Sequence, residues 1–231
     1  MFVQTNYIRD FVFPLAVIPE NHQGSLKVER ILGTAFLIGR RGFALTARHV
    51  LESTEGKRIV GMFALPDGTW KTFDIKTMEQ HPSLDVALVQ LDGGTWNSIF
   101  RLSNSWAGAT TRYRCFGYPD DATWELYQNG SVLVRPDLVY TEGYIRRRFP
   151  HPLPSIRGDL FLELSDVAGT GCSGAPVFTE LGASWEVVGI YVCEKLNDRG
   201  TSVAYAVMEE AFREWSPTVL GLSVLQESQG V

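Results

Sequence analysis

Short β-type runs, each bounded by turn residues, recur along nearly the whole chain, and long amphipathic helical patterns do not. Runs rich in Val, Ile, Phe and Thr cover 11–18, 33–39, 42–47, 57–65, 69–78, 85–91, 111–118, 130–135, 159–164, 174–178, 185–192 and 201–207. Side chains alternate faces along a strand, so each run needs a second sheet against which to bury its apolar face. Many short strands at this spacing are accommodated by a sandwich or by barrels. Arg40-Arg41, with Gly39 and Gly42 at its shoulders, reads as the turn of a hairpin joining 33–39 to 42–47. The pattern MEEAFREW predicts a helix over 208–215, ended near Pro217, and HVLEST predicts a short helical turn over 49–54. The stretch 119–158 is the least regular, with prolines at 119, 136, 150, 152 and 154. It is expected to be mobile and to shape access to a site.

Composition narrows the function. The 231 residues, 45% hydrophobic and 20% charged, suffice for one large all-β domain or two small subdomains sharing a site. A net charge of −5 gives no electrostatic case for nucleic acid or an anionic membrane. The one basic cluster, Arg146-Arg147-Arg148, reads as a solvated loop or strand end. No run approaches the roughly 18 apolar residues of a membrane span. The N-terminal apolar run lacks a basic leader and is interrupted by Pro14, so a signal peptide is not expected. The three cysteines, Cys115, Cys172 and Cys193, are an odd number without C-x-x-C spacing. They argue against a disulfide framework and against a zinc site, and place the chain in a reducing cytoplasm. No metal or cofactor is expected. The six tryptophans show no spacing suited to stacking bases and are assigned to the core and to barrel closure.

Three segments carry chemistry together that none carries alone. In GTAFLIGRRGFALTARHV, two strands lead into His49; a lone histidine there is usually a surface or satisfied core residue. In HPSLDVALVQL, Asp85 opens an alternating apolar run, and a carboxylate buried at the lip of a strand needs a partner such as a histidine ring N–H. In TGCSGAPVF, Ser173 and its neighbour Cys172 sit between glycines. Glycines permit a sharp turn that exposes a nucleophile and aims backbone N–H groups at a developing oxyanion. Two other candidates are set aside. His81 is followed by Pro82, so no helix face aligns it with Asp85 as a metal pair. Asp74 lies mid-strand in a polar alternation and is expected to be exposed.

Jointly, T-A-R-H-V (46–50), D-V-A-L-V (85–89) and G-C-S-G-A-P-V-F (171–178) resemble the chymotrypsin-fold, trypsin-like serine peptidases, closest to the bacterial HtrA-like branch. The order His, Asp, Ser is that family's order. Gly33-Thr34-Ala35-Phe36, Phe116-Gly117-Tyr118-Pro119 and Val188-Gly189-Ile190 add support, and the resemblance spans roughly 11–215. It implies an all-β fold of two packed six-stranded barrels, about 11–105 and 106–207, with a C-terminal helix and tail over 208–231. It implies that His49 is the general base, Asp85 its orienting acid and Ser173 the nucleophile. The N–H groups of Gly171 and Ser173 would form the oxyanion hole. Cys172 occupies the position whose side chain points away from the cleft, so Ser173 rather than the cysteine is expected to attack.

Substrate contacts follow from the same resemblance. Val167, six residues before the nucleophile, would floor the S1 pocket and favour a small-to-medium apolar P1 side chain. A one-residue slip to Asp166 would reverse that preference. Tyr191-Val192-Cys193 would pair with the substrate backbone by strand addition. The implied function is an intracellular endopeptidase acting on a protein or peptide, with a possible activating partner in a stress or defence setting. The alternatives are a silent peptide-binding module of the same fold and a non-proteolytic acyl hydrolase. Against the last, 171–175 does not spell G-x-S-x-G. The chain departs from the secreted digestive members at Cys172, where they carry aspartate, in having no I-V-G-G-like segment near 1–33, and at Ala175. No N-terminal cut is therefore expected to be needed for competence.

Overall fold

The computed structural model of the protein describes residues 7–19, 28–52, 54–128, 131–181, 184–196 and 200–230. The first six strands close into a barrel: β1 Val12–Ile18, β2 Arg30–Ile38, β3 Phe43–Thr46, β4 Arg58–Ala64, β5 Trp70–Gln80 and β6 Ala87–Leu91, in the order β1-β2-β3-β6-β5-β4. Pro14 lies inside β1 rather than ending it. It pairs with Thr34 of β2, while the pairing to β4 begins one residue later at Leu15. The residue without an N–H thus sits where the strand has a neighbour on one side only.

A short strand, β7 Phe100–Leu102, leads to the second barrel. Its strands are β8 Arg112–Gly117, β11 Val139–Phe149, β12 Phe161–Leu164, β13 Pro176–Leu181, β14 Ser184–Leu196 and β15 Ser202–Met208. They run in the order β13-β8-β11-β12-β15-β14, and the β13–β14 pairing closes the ring; β7 adds to β14 in parallel. A hairpin, β9 Thr123–Gln128 with β10 Ser131–Pro136, stands apart from both barrels.

The stretch 119–158 is therefore not a loop: it holds β9, β10 and all of β11. The pattern was hidden because β11 keeps only Ile145 fully buried and faces water with most of its charged residues. Two of its arginines, Arg146 and Arg147, are ion-paired to the buried Glu163 of β12. Arg148 bonds Glu210 and the Ala107 carbonyl. The basic cluster is thus tied into the second barrel, not merely solvated.

The C-terminal helix is shorter than 208–215, with α1 covering Glu209–Phe212. A further helix, α2 Val224–Gln229, follows. It is fixed by a capping box in which the Ser223 hydroxyl accepts from the Gln226 N–H and the Gln226 side chain accepts from the Ser223 N–H. Its buried Glu227 holds Arg41 at the β2–β3 turn, so the chain end returns to the first barrel. Among the described residues, no helix is long and apolar enough to cross a membrane.

The first barrel is filled by aromatic rings, with Phe13 stacked on Phe63, and Phe63 and Phe73 both against Trp96. The second is filled by smaller side chains, among them Cys115, Ile145, Leu164, Val177, Ala204 and Ala206. Phe100 packs edge-on against Phe36 of one barrel and Phe178 of the other, sealing the seam between them. Burial of such a ring contributes about 2–3 kcal/mol. Trp96 and Trp185 lie in these clusters, but Trp106 is exposed, with the Arg148 guanidinium over its face.

Candidate active site

The loop after β3 folds into a 3-10 turn, Arg48–Leu51, which carries His49 at the lip of the first barrel. Asp85, two residues before β6, is 2% exposed. Its N–H donates to the Arg157 carbonyl (3.1 Å). Its carboxylate directs both oxygens at one residue. Oδ1 accepts the His49 backbone N–H at 2.9 Å, and Oδ2 lies 2.7 Å from His49 Nδ1. A carboxylate can only accept, so Nδ1 carries a proton; in the neutral imidazole that tautomer leaves the lone pair on Nε2. A buried charge held by two hydrogen bonds is the arrangement that the desolvation penalty demands.

The Ser173 turn comes from the second barrel and is seated on the first. Thr34, fully buried in β2, is the junction. Its N–H donates to the Ser173 carbonyl (2.9 Å), and its hydroxyl donates to the Gly171 carbonyl (3.2 Å) and accepts the Tyr118 N–H (3.0 Å). Its own carbonyl accepts the Thr46 hydroxyl (2.7 Å). Gly174 has φ +92°, and a Cβ there would collide with the Thr34 carbonyl and the Thr46 hydroxyl. Only glycine lets the turn press this close to the first barrel. Ser173 thereby reaches the segment that bears His49: a Cβ on Gly33 would meet both the Val50 side chain and the Ser173 carbonyl.

Gly171 also has a positive φ, +96°. Cys172 N–H bonds the Gly169 carbonyl and Ala175 N–H bonds the Cys172 carbonyl, curling the chain around Ser173. Among the described residues, neither the Gly171 N–H nor the Ser173 N–H donates to a protein carbonyl. Two N–H groups left open beside a half-buried hydroxyl suit an oxyanion. The Ser173 hydroxyl donates to the Val192 carbonyl at 3.4 Å, and no hydrogen bond joins it to His49. Such bonds are often long or absent before substrate binds.

Cys172 is buried, with Sγ donating to the Ala168 carbonyl at 3.1 Å, and burial pushes its thiol well above the usual range. It faces the second barrel's interior. Cys193, beside the site, has its thiol pushed up to about 11, chiefly by burial. All three cysteines are unpaired.

The remaining expected residues divide. Val167 is half-buried and packs against the second-barrel core, with its N–H bonded to Asp166 Oδ1, while the Asp166 side chain is exposed. Val192 and Cys193 lie on the part of β14 whose recorded neighbour is β15 alone. Tyr191 does not belong to that substrate edge. Its N–H donates to the Ala175 carbonyl and its carbonyl accepts the Gly174 N–H, so its backbone is already committed, and its ring is 2% exposed. His81 accepts the Ser83 and Leu84 N–H groups at Nδ1 and sets its ring edge-on to Trp215. Asp74 is half-buried at the barrel surface and paired with Arg58.

The profile of the trypsin-like peptidase domain matches residues 33–190, more than half of the chain. The chain belongs to the trypsin-like peptidase family. Solved structures with this fold include the protease domain of MamO from Magnetospirillum magneticum, at 16% identity and TM-score 0.60, covering 89% of this chain and 95% of that one. The HtrA-type protease AlgW, with a bound decapeptide, matches at 16% identity and TM-score 0.61, over 88% of this chain and 62% of that one. The protease Rv3671c from M. tuberculosis, in its active form, matches at 16% identity and TM-score 0.60, over 87% and 77%. At these identities the likeness concerns the fold of the trypsin-like domain. No curated protein matches the sequence.

Two contributors to the site went unread in the sequence. In the sequence Thr34 stands only within the Gly33–Phe36 motif, and Glu194 belongs to no motif. Glu194 Oε1 accepts the Gly169 N–H at 2.7 Å and the Tyr191 hydroxyl at 2.6 Å. A carboxylate just past the apolar run 185–192, near the end of β14, is the available signal.

Proposed function

We propose that this protein is a serine endopeptidase that uses Ser173 as nucleophile, His49 as general base and acid, and Asp85 to fix the histidine's tautomer. The observation that carries this reading is the buried Asp85 carboxylate bonded to His49 through both oxygens, next to a nucleophile turn with two open N–H groups. As Ser173 Oγ bonds to the scissile carbonyl carbon, its proton passes to His49 Nε2. The carbonyl oxygen becomes an oxyanion facing the Gly171 and Ser173 N–H groups. Collapse breaks the C–N bond, and the proton moves from His49 to the leaving amine. Water, deprotonated by the same imidazole, then releases the acyl group from Ser173.

The substrate would pair its backbone with β14 at Val192–Cys193, where that strand has a free edge. Val167 at the pocket floor favours a small-to-medium apolar P1. Three free thiols suit a reducing cytoplasm, and a partner protein that orders the loop before Ser173 would set the timing. A second reading, a silent peptide-binding module, draws on the Ser173 hydroxyl's bond to Val192 in place of His49. Incubation with a peptide library, followed by sequencing of product N-termini, separates the two. A serine peptidase should give cleavage that disappears in Ser173→Ala. Peptide binding without cleavage by the native chain would favour the silent module.

A further inference from the structure

The segment leading into the nucleophile, 165–173, makes few strand-type hydrogen bonds, yet it must hold two N–H groups in a fixed direction. Cys172, immediately before Ser173, is a buried thiol whose titration is pushed up by burial, so it brings no charge to this loop.

The structure supplies other ties. Ala168 N–H donates to the Tyr191 hydroxyl (3.0 Å), the Tyr191 hydroxyl donates to Glu194 Oε1 (2.6 Å), and Gly169 N–H donates to the same oxygen (2.7 Å). The proton directions are forced. An N–H can only donate, a carboxylate can only accept, and the phenol does one of each. Burial pushes the Tyr191 phenol well above its usual range, so it stays a donor toward Glu194. On the far side, the Cys172 thiol donates to the Ala168 carbonyl, and Asp120 N–H donates to the Thr170 carbonyl (2.7 Å). Both Tyr191 and Glu194 belong to β14, the strand that also presents the Val192 carbonyl to Ser173.

We propose that Glu194 and Tyr191 are positioning residues for the oxyanion turn: the Tyr191 hydroxyl and Glu194 Oε1, both on β14, hold the consecutive amides of Ala168 and Gly169 and so fix the directions of the Gly171 and Ser173 N–H groups. The inference rests on the peptidase reading for its catalytic consequence, but not for the clamp itself. The clamp is made within the second barrel, so it needs no free N-terminus. Its acceptor is a hydrogen-bonding oxygen, not a charge as such, and a glutamine at 194 can accept the same two bonds, though less strongly than a carboxylate.

Two measurements test it. In Ser173→Ala protein, which needs no activity, amide exchange at 168–171 is followed by mass spectrometry with and without Glu194→Ala or Tyr191→Phe. Exchange there is expected to accelerate about tenfold or more, with β11 and β12 unchanged. Exchange at 168–171 left as slow as before would overturn the clamp. In the active chain, Glu194→Ala is expected to lower kcat about 10–100-fold with KM changed little, short of the roughly 10²–10³ lost when an oxyanion donor is deleted outright. Glu194→Gln should recover most of that loss, and Tyr191→Phe, which removes only the hydroxyl, should fall between. A loss confined to KM, or to substrates with Arg or Lys at P1 and equal in Gln and Ala, would show that Glu194 reads substrate charge and would overturn the positioning role. If the native chain cleaves nothing, the peptidase reading fails, while the exchange result still decides the clamp.

Discussion

The two halves of the site are held by different means. On the first barrel, His49 and Asp85 fix each other directly: a 3-10 turn, a buried carboxylate and two short hydrogen bonds leave the imidazole one orientation. On the second barrel, Ser173 owes its place to backbone curvature and to neighbours that touch other residues. Gly171 and Gly174 supply the curvature, Thr34 anchors the carbonyls, and Tyr191 with Glu194 restrains the preceding amides. A base must be fixed in tautomer and angle, which side-chain bonds do. An oxyanion hole is made of main-chain N–H groups, and those are fixed only by fixing φ and ψ along a loop. The first half therefore depends on two residues and the second on many, each with a smaller effect.

The largest effects should come from the residues to which the proposed mechanism assigns the chemistry. Ser173→Ala and His49→Ala are each expected to lower kcat about a million-fold, and the double mutant to lose little more, because groups acting as one unit are not additive. Asp85→Asn should cost on the order of 10⁴-fold by disturbing the tautomer. Steady-state hydrolysis of one fluorogenic peptide measures all four. Additive losses would break the picture of a shared mechanism.

Next is the backbone of the second half. Gly174→Ala is expected to destabilise the protein by about 3 kcal/mol or more, since a left-handed residue costs about 1–3 kcal/mol before its Cβ meets the Thr34 carbonyl. The urea midpoint would report it. A native-like midpoint would mean that the seam between barrels is looser than the contacts imply.

The sequence made the two halves unequally legible. His49, Asp85 and Ser173 stood in short motifs whose joint order was informative, and the barrel strands announced themselves by alternation. Thr34 bonds partners 84 to 139 positions away, and Glu194 reaches the Gly169 amide 25 positions away; such pairings exist only after folding. Tyr191 was placed on the substrate edge because its strand was right; its committed backbone could not be foreseen. β11 was missed because an outward-facing barrel strand carries charges where a core strand would not. The α2 capping box, Ser223 with Gln226, is visible as S-x-x-Q but opens too short a run to stand out.

A smaller effect separates the barrels by pH. Glu209, at the start of α1, is buried beside Arg213, Glu210 and Arg148, and burial raises its carboxyl from 4.5 to about 7. One of its oxygens lacks a hydrogen-bond partner among the described residues. The fold prefers its neutral form, so its stabilising contribution is full below pH 4.5 and is lost as pH rises through 7. Stability should fall by roughly 1–3 kcal/mol across that window, at about 1.4 kcal/mol per pKa unit. Glu209→Gln should remove this part of the slope in urea titrations at several pH values. An unchanged slope would show that Glu209 is not its source.

The central claim is that Ser173 is a hydroxyl nucleophile activated by the His49–Asp85 pair, and labelling with a fluorophosphonate probes it directly. Intact mass after treatment should show one adduct on the native chain, mapped by peptide sequencing to Ser173. Labelling should vanish in Ser173→Ala and slow by orders of magnitude in His49→Ala, with Cys172 and Cys193 unmodified in every case. No adduct on the native chain, or an adduct that persists in Ser173→Ala, would contradict the account.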